Sequence, residues 1–341
     1  MALSYIWYIL RNGLGQQFFV PPAPLTERNL PDQTDRVFMI TGGYAGVGQE
    51  VVSILYGANG TVWIVGRSES KASAAIDRIT AQHPQSSGKL HFLKVDLSDL
   101  TTIKPAVEDF HRRNESGKLH WLNNNAGVMT PPPNSTGAQG LDLQYVTNIY
   151  APFLLTKLLL PTLRETAKTE KSAPGTVRVS WAGSSASFMS RPHAGLAWTP
   201  DNKDLVYAID NPQMAYAISK AANFYLGSEF GHRYGNDDGV LHDSYNPGNL
   251  RSELQRHLSG LPQRLIYALV HPPIQGAYTE LYCGLSPELT LPNDQGAWVV
   301  PWGRKSDMRP DMLAEAKRAG EKDSVGCKLW EWCESVTREY A

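Results

Sequence analysis

Residues 37–48, VFMITGGYAGVG, decide the fold of this chain. Val37–Ile40 is an apolar run without polar alternation, which is typical of a strand buried on both faces of a sheet. Gly42, Gly46 and Gly48 follow at once, and apolar residues at helical spacing come next. Strand, glycine turn and helix in this order predict a site where backbone N–H groups approach a pyrophosphate at the positive end of a helix.

Strands and helices alternate along the following part of the chain. Apolar runs predict strands at 61–65, 90–95 and 119–122, with helices over 70–83 and over 98–113, the second capped by Ser98. This alternation predicts an α/β fold with a doubly wound, Rossmann-type parallel sheet in a single domain. In such sheets the ligand lies over the carboxyl ends of the strands.

Candidate ligand-binding residues stand just past these strand ends. Arg67 follows the second predicted strand, and no acidic residue stands at 65–68. A carboxylate there would hold the 2′-hydroxyl of NAD, whereas an arginine accommodates a 2′-phosphate, so we expect NADP(H). Asp96 follows the third strand and Asn124–Gly127 follow the fourth. Their convergence at one edge of the sheet is a stronger indication than any single motif.

A tyrosine and a lysine later in the chain add candidate chemistry. Tyr216 and Lys220 are four residues apart, so they share one face of a helix. An ammonium beside a phenol lowers the pKa of the phenol, which could then exchange a proton with a substrate. The pair alone is common on ordinary amphipathic helices, and the upstream glycine turn gives it weight.

Taken together, these motifs resemble the short-chain dehydrogenase/reductase family over residues 35–305. The wording of 246–254 (NPGNLRSEL), 301–304 (PWGR) and 328–334 (KLWEWCE) further resembles a fungal branch of retinol-dehydrogenase-like reductases, several of which serve specialised-metabolite pathways. The matching family motifs are Thr41-Gly42-x-x-x-Gly46-x-Gly48, Asp96-Leu97, Asn124-Asn125-Ala126-Gly127, Tyr216-x-x-x-Lys220 and Pro247-Gly248.

The resemblance implies a role for each candidate residue. Ser184, after a predicted strand at 177–182, would hydrogen-bond the substrate carbonyl, with Ser185 as the alternative. Tyr216 would donate the proton, and Lys220 would lower the pKa of that tyrosine and hold the nicotinamide ribose. Asn148, on a long helix over 141–163, would hold a water that relays protons through Lys220. The implied cofactor contacts are Gly42, Tyr44, Gly46, Val47, Gly48, Arg67, Asp96, Leu97, Asn125, Ala126, Gly127, Tyr216, Lys220, Pro247, Gly248 and Asn249.

This chain departs from the family pattern in two places. Tyr44 and Ala45 replace small polar residues of related cofactor loops, which leaves more of the 2′-phosphate contact to Arg67. A long insert between Ser184 and Tyr216 either lines a pocket for a bulky apolar substrate or pins its own loop to the surface. Its prominent side chains are Phe188, Met189, His193, Trp198 and Tyr207, and we expect the histidine to face solvent.

The two ends of the chain are predicted as extensions. Residues 1–34 form an N-terminal extension, 35–305 the NADP-binding domain, and 306–341 a C-terminal tail whose amphipathic helix packs on the body or, alternatively, in a dimer contact. The resemblance makes 250–269 a helical lid over the substrate. A helix is predicted over 275–285 and the last strand over 297–301.

Composition excludes several classes of protein. The chain has 341 residues and a net charge of −1 with no basic run, which gives no case for nucleic-acid binding. Its three cysteines form no CxxC pair, which argues against a disulfide framework or a metal site and suits the cytoplasm. The apolar stretch 2–10 is too short to span a bilayer; it predicts a surface helix, with a weak membrane contact as the alternative.

These observations predict an NADP(H)-dependent oxidoreductase, a ketoreductase of secondary metabolism. It would interconvert a carbonyl and an alcohol on a bulky, largely apolar small molecule, as a monomer or homodimer. One alternative is an NADP(H)-binding protein of the same fold with a non-redox role, either a binding module or a cyclisation catalyst. Another is a methyltransferase, against which Tyr216, Lys220 and Pro247-Gly248 argue.

Overall fold

The computed structural model describes residues 15–16, 20–170, 175–191, 194–196, 198, 205, 211–251 and 270–341. The strands are β1 (Val37–Thr41), β2 (Thr61–Gly66), β3 (Lys89–Lys94), β4 (Trp121–Asn124), β5 (Val177–Ala182), β6 (Val240–Tyr245), β7 (Ala297–Val300) and β8 (Arg304–Ser306). The helices are α1 (Gly46–Gly57), α2 (Glu69–Gln82), α3 (Ile103–Arg113), α4 (Ala151–Thr169), α5 (Pro212–Phe230), α6 (Pro273–Leu285), α7 (Pro310–Ala316) and α8 (Val325–Thr337).

The described strands form one sheet in the order β3-β2-β1-β4-β5-β6-β7-β8. Every pair through β6–β7 is parallel, which confirms the predicted doubly wound arrangement. The β8 strand pairs antiparallel with β7, so the strand predicted at 297–301 is not the last strand of the sheet. The sequence of β8, Arg-Lys-Ser, carries no apolar signal that could have revealed a strand.

Helices cover both faces of the sheet because the central strand β1 carries apolar residues on both of its faces. Val37 and Met39 of β1 face the core cluster beneath α3, α4, α5 and α8, whereas Phe38 and Ile40 face the cluster beneath α1, α2 and α6. All five residues of β1 are buried. This two-sided burial is the reason for the apolar run at the start of the decisive stretch.

Two helix starts differ from the predictions. Asp99, and not Ser98, caps the helical segment before α3: its side chain accepts a hydrogen bond from the Thr101 N–H and opens a 3₁₀ turn over Leu100–Thr102. The predicted helix over 141–163 instead runs from Leu143–Tyr145 through a π turn at Val146–Tyr150 into α4. A π turn inserts an extra residue into a helix and often marks a functional site.

The C-terminal tail packs on the body, as one of the two alternatives predicted. Leu329 and Trp330 of α8 are buried in the same core cluster as α5, and the Trp332 indole donates to the Tyr150 hydroxyl at 2.9 Å. The chain division at 34/35 and 305/306 stays a prediction.

Several features of the sequence can be placed or set aside. Cys283, Cys327 and Cys333 are free and buried. Among the described residues one helical run, Leu143–Thr169, has the length and hydropathy of a membrane span, but 78% of its apolar window is buried, so it is a core helix. The stretch 2–10 and most of the predicted lid, 252–269, lie outside the described residues.

Candidate active site

The turn between β1 and α1 is shaped to receive an anion. Gly42 and Gly46 have φ angles of +69° and +55°, which residues with side chains rarely adopt. A Cβ on Gly48 would lie 2.6 Å from Asn125 Nδ2, so only glycine lets the turn pack this closely. Ala45 precedes α1, and no side chain of the described residues caps that helix. The first N–H groups of α1 are therefore available to phosphate oxygens.

Hydrogen bonds tie the carboxyl ends of β1 and β4 together. Asn125 Nδ2 donates to the Thr41 carbonyl at 2.8 Å, and the Ala126 N–H donates to Thr41 Oγ1 at 2.9 Å. Thr41 Oγ1 in turn donates to the Asn123 carbonyl at 3.2 Å. The predicted fourth-strand motif thus builds one wall of the groove into which the glycine turn opens.

The end of β2 carries a feature that the sequence did not reveal. The Tyr44 ring lies directly over Gly66, so closely that no side chain would fit at Gly66. This places the Tyr44 hydroxyl over the last residue of β2, and the next residue, Arg67, is exposed. The loop therefore keeps a hydroxyl at this point, although Tyr44 stands where related cofactor loops have a small polar residue.

At the end of β3, one carboxylate oxygen of Asp96 is engaged. Asp96 Oδ1 accepts hydrogen bonds from the Ser98 N–H at 3.0 Å and from the Ser98 hydroxyl at 2.6 Å. These bonds fix the orientation of the carboxylate. The role predicted for Ser98 as a helix cap is replaced by this contact.

Tyr216 and Ser184 meet at the carboxyl end of β5. The Ser184 side chain lies close enough to Tyr216 to act on the pKa of its phenol, and its hydroxyl accepts a hydrogen bond from the Ala186 N–H at 3.1 Å. Burial raises the pKa of Tyr216, and the nearby Ser184 hydroxyl acts against that rise. The geometry therefore favours Ser184 over Ser185, the residue that begins the following 3₁₀ turn, Ser185–Met189.

Lys220 lies one helical turn from Tyr216, with its Nζ 5.7 Å from the centroid of the Tyr216 ring. Its Nζ donates to the Ala182 carbonyl at 2.8 Å. Burial lowers the pKa of Lys220 to about 8, and the Glu280 carboxylate acts against this. Burial of the phenol has the largest effect on the pKa of Tyr216, so its net shift is upward, and the lowering of that pKa by Lys220 stays a prediction.

The π turn before α4 places Asn148 beside the same group. Asn148 Nδ2 donates to the Val128 carbonyl and to Ser219 Oγ, each at 3.0 Å, and its Oδ1 accepts from the Val128 N–H at 2.9 Å. A Cβ on Gly127 would lie 3.1 Å from Asn148 Oδ1 and 3.2 Å from Lys220 Nζ. The absence of a side chain at Gly127 therefore leaves a small space between the two polar groups.

The turn after β6 closes the other side of the groove. Gly248 has a φ angle of +98°, and its N–H donates to Asn246 Oδ1 at 3.0 Å. The Asn249 carbonyl accepts from the His271 N–H at 2.8 Å. The predicted cofactor contacts follow the carboxyl ends of β1, β2, β3, β4 and β6, apart from two on α5: Gly42, Tyr44, Gly46, Val47, Gly48, Arg67, Asp96, Leu97, Asn125, Ala126, Gly127, Pro247, Gly248 and Asn249, with Tyr216 and Lys220.

Part of the insert after Ser184 is described, and it is tied down. Phe188 is buried in the main core cluster, and Trp198 packs against that cluster, so these aromatics pin the loop. Met189 is 68% exposed. His193 and Tyr207 lie outside the described residues.

A buried arginine in the C-terminal tail holds this insert. Arg309 is fully buried and donates to the backbone carbonyls of Phe188, Ser190 and Arg191. It also pairs with Asp311. Sequence reasoning missed this arginine because nothing local distinguishes a buried arginine from a surface one.

Comparison with known proteins agrees with this geometry. The family model for short chain dehydrogenases matches residues 36–192. A short-chain dehydrogenase/reductase of Phomopsis amygdali is 41% identical over 338 residues, 97% of this chain and 98% of the relative. Another from Neocamarosporium betae is 37% identical over 328 residues, 95% of this chain and 92% of the relative.

Solved structures show the same fold. The NADPH-bound carbonyl reductase from chicken fatty liver has a TM-score of 0.54 at 20% identity, covering 78% of this chain and 96% of its own. An uncharacterised protein from Mycobacterium paratuberculosis has a TM-score of 0.62 at 23% identity, covering 92% of this chain and 97% of its own. The retinol-dehydrogenase-like branch stays a prediction. The chain itself belongs to the short-chain dehydrogenase/reductase family, whose members are oxidoreductases that use a nicotinamide cofactor.

Proposed function

We propose that this protein is an NADP(H)-dependent oxidoreductase that interconverts a carbonyl and an alcohol on a bulky, largely apolar small molecule. The observation that carries the proposal is that the Ser184 side chain lies close enough to Tyr216 to act on the pKa of its phenol, with Lys220 Nζ 5.7 Å from the centroid of the same ring. Two hydroxyl groups that converge beside an ammonium can both hydrogen-bond a carbonyl oxygen, and one of them can give it a proton.

The residues around the groove fit a nicotinamide dinucleotide. The uncapped start of α1 would hold the pyrophosphate, Asp96 the adenine, and Lys220 the nicotinamide ribose. When bound, the cofactor supplies the two-electron reduction of the carbonyl carbon.

We propose NADP(H) over NAD(H) because two side chains near the end of β2 fit the 2′-phosphate that only NADP(H) carries. Arg67 is exposed at the end of β2, and its guanidinium can pair with a phosphate. The Tyr44 hydroxyl, which lies over the preceding Gly66, would offer a second hydrogen bond.

The proton path starts at the Tyr216 hydroxyl. Ser184 would hold the substrate oxygen, and Tyr216 would donate its proton to that oxygen. Burial lowers the pKa of Lys220 to about 8. Its ammonium form would stabilise the resulting phenolate. Asn148, fixed by Val128 and Ser219, would hold the water that returns a proton through Lys220.

An apolar substrate is supported by the exposed Met189, which lies on the 3₁₀ turn that begins directly after Ser184. Exposed apolar side chains beside a polar anchor are typical of pockets for apolar ligands. Resemblance to the fungal branch supports a specialised metabolite as the substrate.

The test is the Tyr216→Phe variant, with NADPH consumption followed against a panel of apolar ketones and aldehydes. We expect kcat to fall by roughly 10²–10⁴-fold, because a positioned acid contributes about that much. NADPH should still bind, as measured by the rise of Tm with cofactor. The matched control is Tyr234→Phe, which removes a hydroxyl from the π turn after α5 and should leave turnover unchanged. Near-normal turnover in Tyr216→Phe would remove the assignment.

A further inference from the structure

We propose that Glu280 is a positioning residue that, from the opposite face of the sheet, holds Lys220 in its ammonium form and thereby sets the upper pH limit of the reaction. The inference rests on the proposed function for its effect on turnover. The link between Glu280 and Lys220 stands on contacts within the chain and can be tested without turnover.

Glu280 is a fully buried acid in α6. Its Oε2 accepts a hydrogen bond from Asn123 Nδ2 at 2.6 Å, and the Tyr245 hydroxyl donates to Asn123 Oδ1 at 2.8 Å. Glu280 Oε1 has no hydrogen-bond partner among the described residues. A buried carboxyl with one unsatisfied oxygen is costly, so its presence calls for a reason other than packing.

The hydrogen-bonded network around Glu280 reaches the strand ends where Lys220 is held. Tyr245 is the partner of Ala182 in the β5–β6 ladder, and the Ala182 carbonyl accepts the hydrogen bond of Lys220 Nζ at 2.8 Å. Lys220 arrives on α5 from one face of the sheet, and Glu280 arrives on α6 from the other. The two side chains therefore approach the same edge from opposite sides.

The charges around Glu280 single out Lys220 as its counterpart. Burial raises the pKa of Glu280 to about 8, and the hydrogen bond from Asn123, the nearby Tyr245 hydroxyl and the charge of Lys220 act against the rise. The other ionisable groups near this cluster are the Tyr245 phenol, the Cys283 thiol and the Asp243 carboxyl, with Arg178 alongside the last two. Of these groups, burial keeps Tyr245 and Cys283 neutral by raising the pKa of each.

Glu280 and Lys220 therefore titrate as a pair. Both have a pKa of about 8 in the fold, so near that pH the pair loses one proton. The remaining proton stays on Lys220 because the ammonium and the carboxylate then attract each other, whereas the neutral pair gains nothing. Without the Glu280 carboxylate, nothing offsets the effect of burial on the pKa of Lys220. Lys220 would therefore lose its charge at lower pH.

The experiment compares the wild-type protein with Glu280→Gln. Glutamine keeps an oxygen for Asn123 Nδ2, so the packing and this hydrogen bond are retained. The alkaline limb of kcat/KM for carbonyl reduction should move to lower pH by about half a unit or more, with the plateau at lower pH unchanged. The second measurement follows the 13Cε shift of Lys220 against pH in lysine-labelled protein, assigned with Lys220→Arg. Its midpoint should fall by the same amount.

The matched control is Asp243→Asn. Asp243 is a buried carboxyl in the same row across the sheet, opposite Ser180, which pairs with Asn123, but it does not contribute to the pKa shift of Lys220. Its variant should leave the Lys220 midpoint and the alkaline limb where they are.

Each outcome decides the proposal. A lower Lys220 midpoint in Glu280→Gln and an unchanged one in Asp243→Asn support it. The proposal is overturned if the Lys220 titration midpoint is the same in the wild type and in Glu280→Gln. It is also overturned if Glu280→Gln loses turnover equally at every pH. Absence of turnover in the wild type with all carbonyls would count against the proposed function, while the Lys220 midpoint would still judge the role of Glu280.

Discussion

Replacing Arg309 by methionine should release the loop after Ser184. The Arg309 guanidinium donates to the carbonyls of Phe188, Ser190 and Arg191 at 3.2, 3.0 and 2.7 Å. It also donates to both carboxylate oxygens of Asp311, at 2.7 and 2.9 Å. Methionine fills much of the same volume but provides none of these hydrogen bonds.

The magnitude follows from the groups left without a donor. Each buried polar group that loses its partner costs about 1–3 kcal/mol. The loss of a donor to three carbonyls and a carboxylate would cost several times that amount if they stayed buried. The loop can move, however, so that water reaches some of these groups. We therefore expect a loss of about 3–5 kcal/mol in the free energy of unfolding, on the scale of breaking a buried ion pair. That is a large part of the roughly 5–15 kcal/mol typical of a folded domain.

The assay is urea denaturation of Arg309→Met, together with KM for a ketone substrate. We expect KM to rise more than kcat falls, because the loop begins directly after Ser184. The control is Arg304→Met: that half-buried guanidinium donates to the Pro301 carbonyl at 2.7 Å, so its loss should cost about 1 kcal/mol. If Arg309→Met were as stable as the control and had wild-type KM, the account of this loop would be refuted.

The remaining predictions concern the cofactor groove and the buried acids. Arg67→Ala should raise KM for NADPH by about tenfold or more without changing KM for NADH, since it removes a phosphate contact worth at least about 1.4 kcal/mol; equal changes for both cofactors would contradict the 2′-phosphate assignment. In Gly48→Ala the new Cβ would lie 2.6 Å from Asn125 Nδ2, so the rise of Tm on adding NADPH should disappear while the circular dichroism stays native. Burial raises the pKa of Asp243 to about 7, so the folded wild type retains a proton that the unfolded chain releases near pH 4. Its stability should therefore fall as pH rises from about 4 to about 7, on the order of 1 kcal/mol per unit, and Asp243→Asn, compared by urea denaturation at both ends of this range, should lack that loss.

The central part of the fold could be predicted from the sequence because the patterns that indicate it are local. The apolar run of β1, the glycines behind it and the helical spacing of α1 lie within a few turns of each other, so periodicity alone reveals them. The strand ends that carry Arg67, Asp96 and Asn125 were placed within a few residues for the same reason. The start of the helical segment before α3 was predicted one residue away, because it is capped by Asp99 and not by Ser98.

The chemistry of the site depended on contacts between distant residues. The choice of Ser184 over Ser185 came from its closeness to Tyr216, and the position of the Tyr44 hydroxyl came from the absence of a side chain at Gly66. Asn123 and Glu280 meet across 157 residues of sequence, and no periodicity reports such a pair.

The order of strands and helices, the glycine turn and the family can be recognised from the amino-acid sequence, because each of these depends on spacings of a few residues. The charges of the active site depend on how distant parts of the chain pack together. Burial raises the pKa of Tyr216 and lowers that of Lys220, and the extent of burial is set by everything that packs around a side chain.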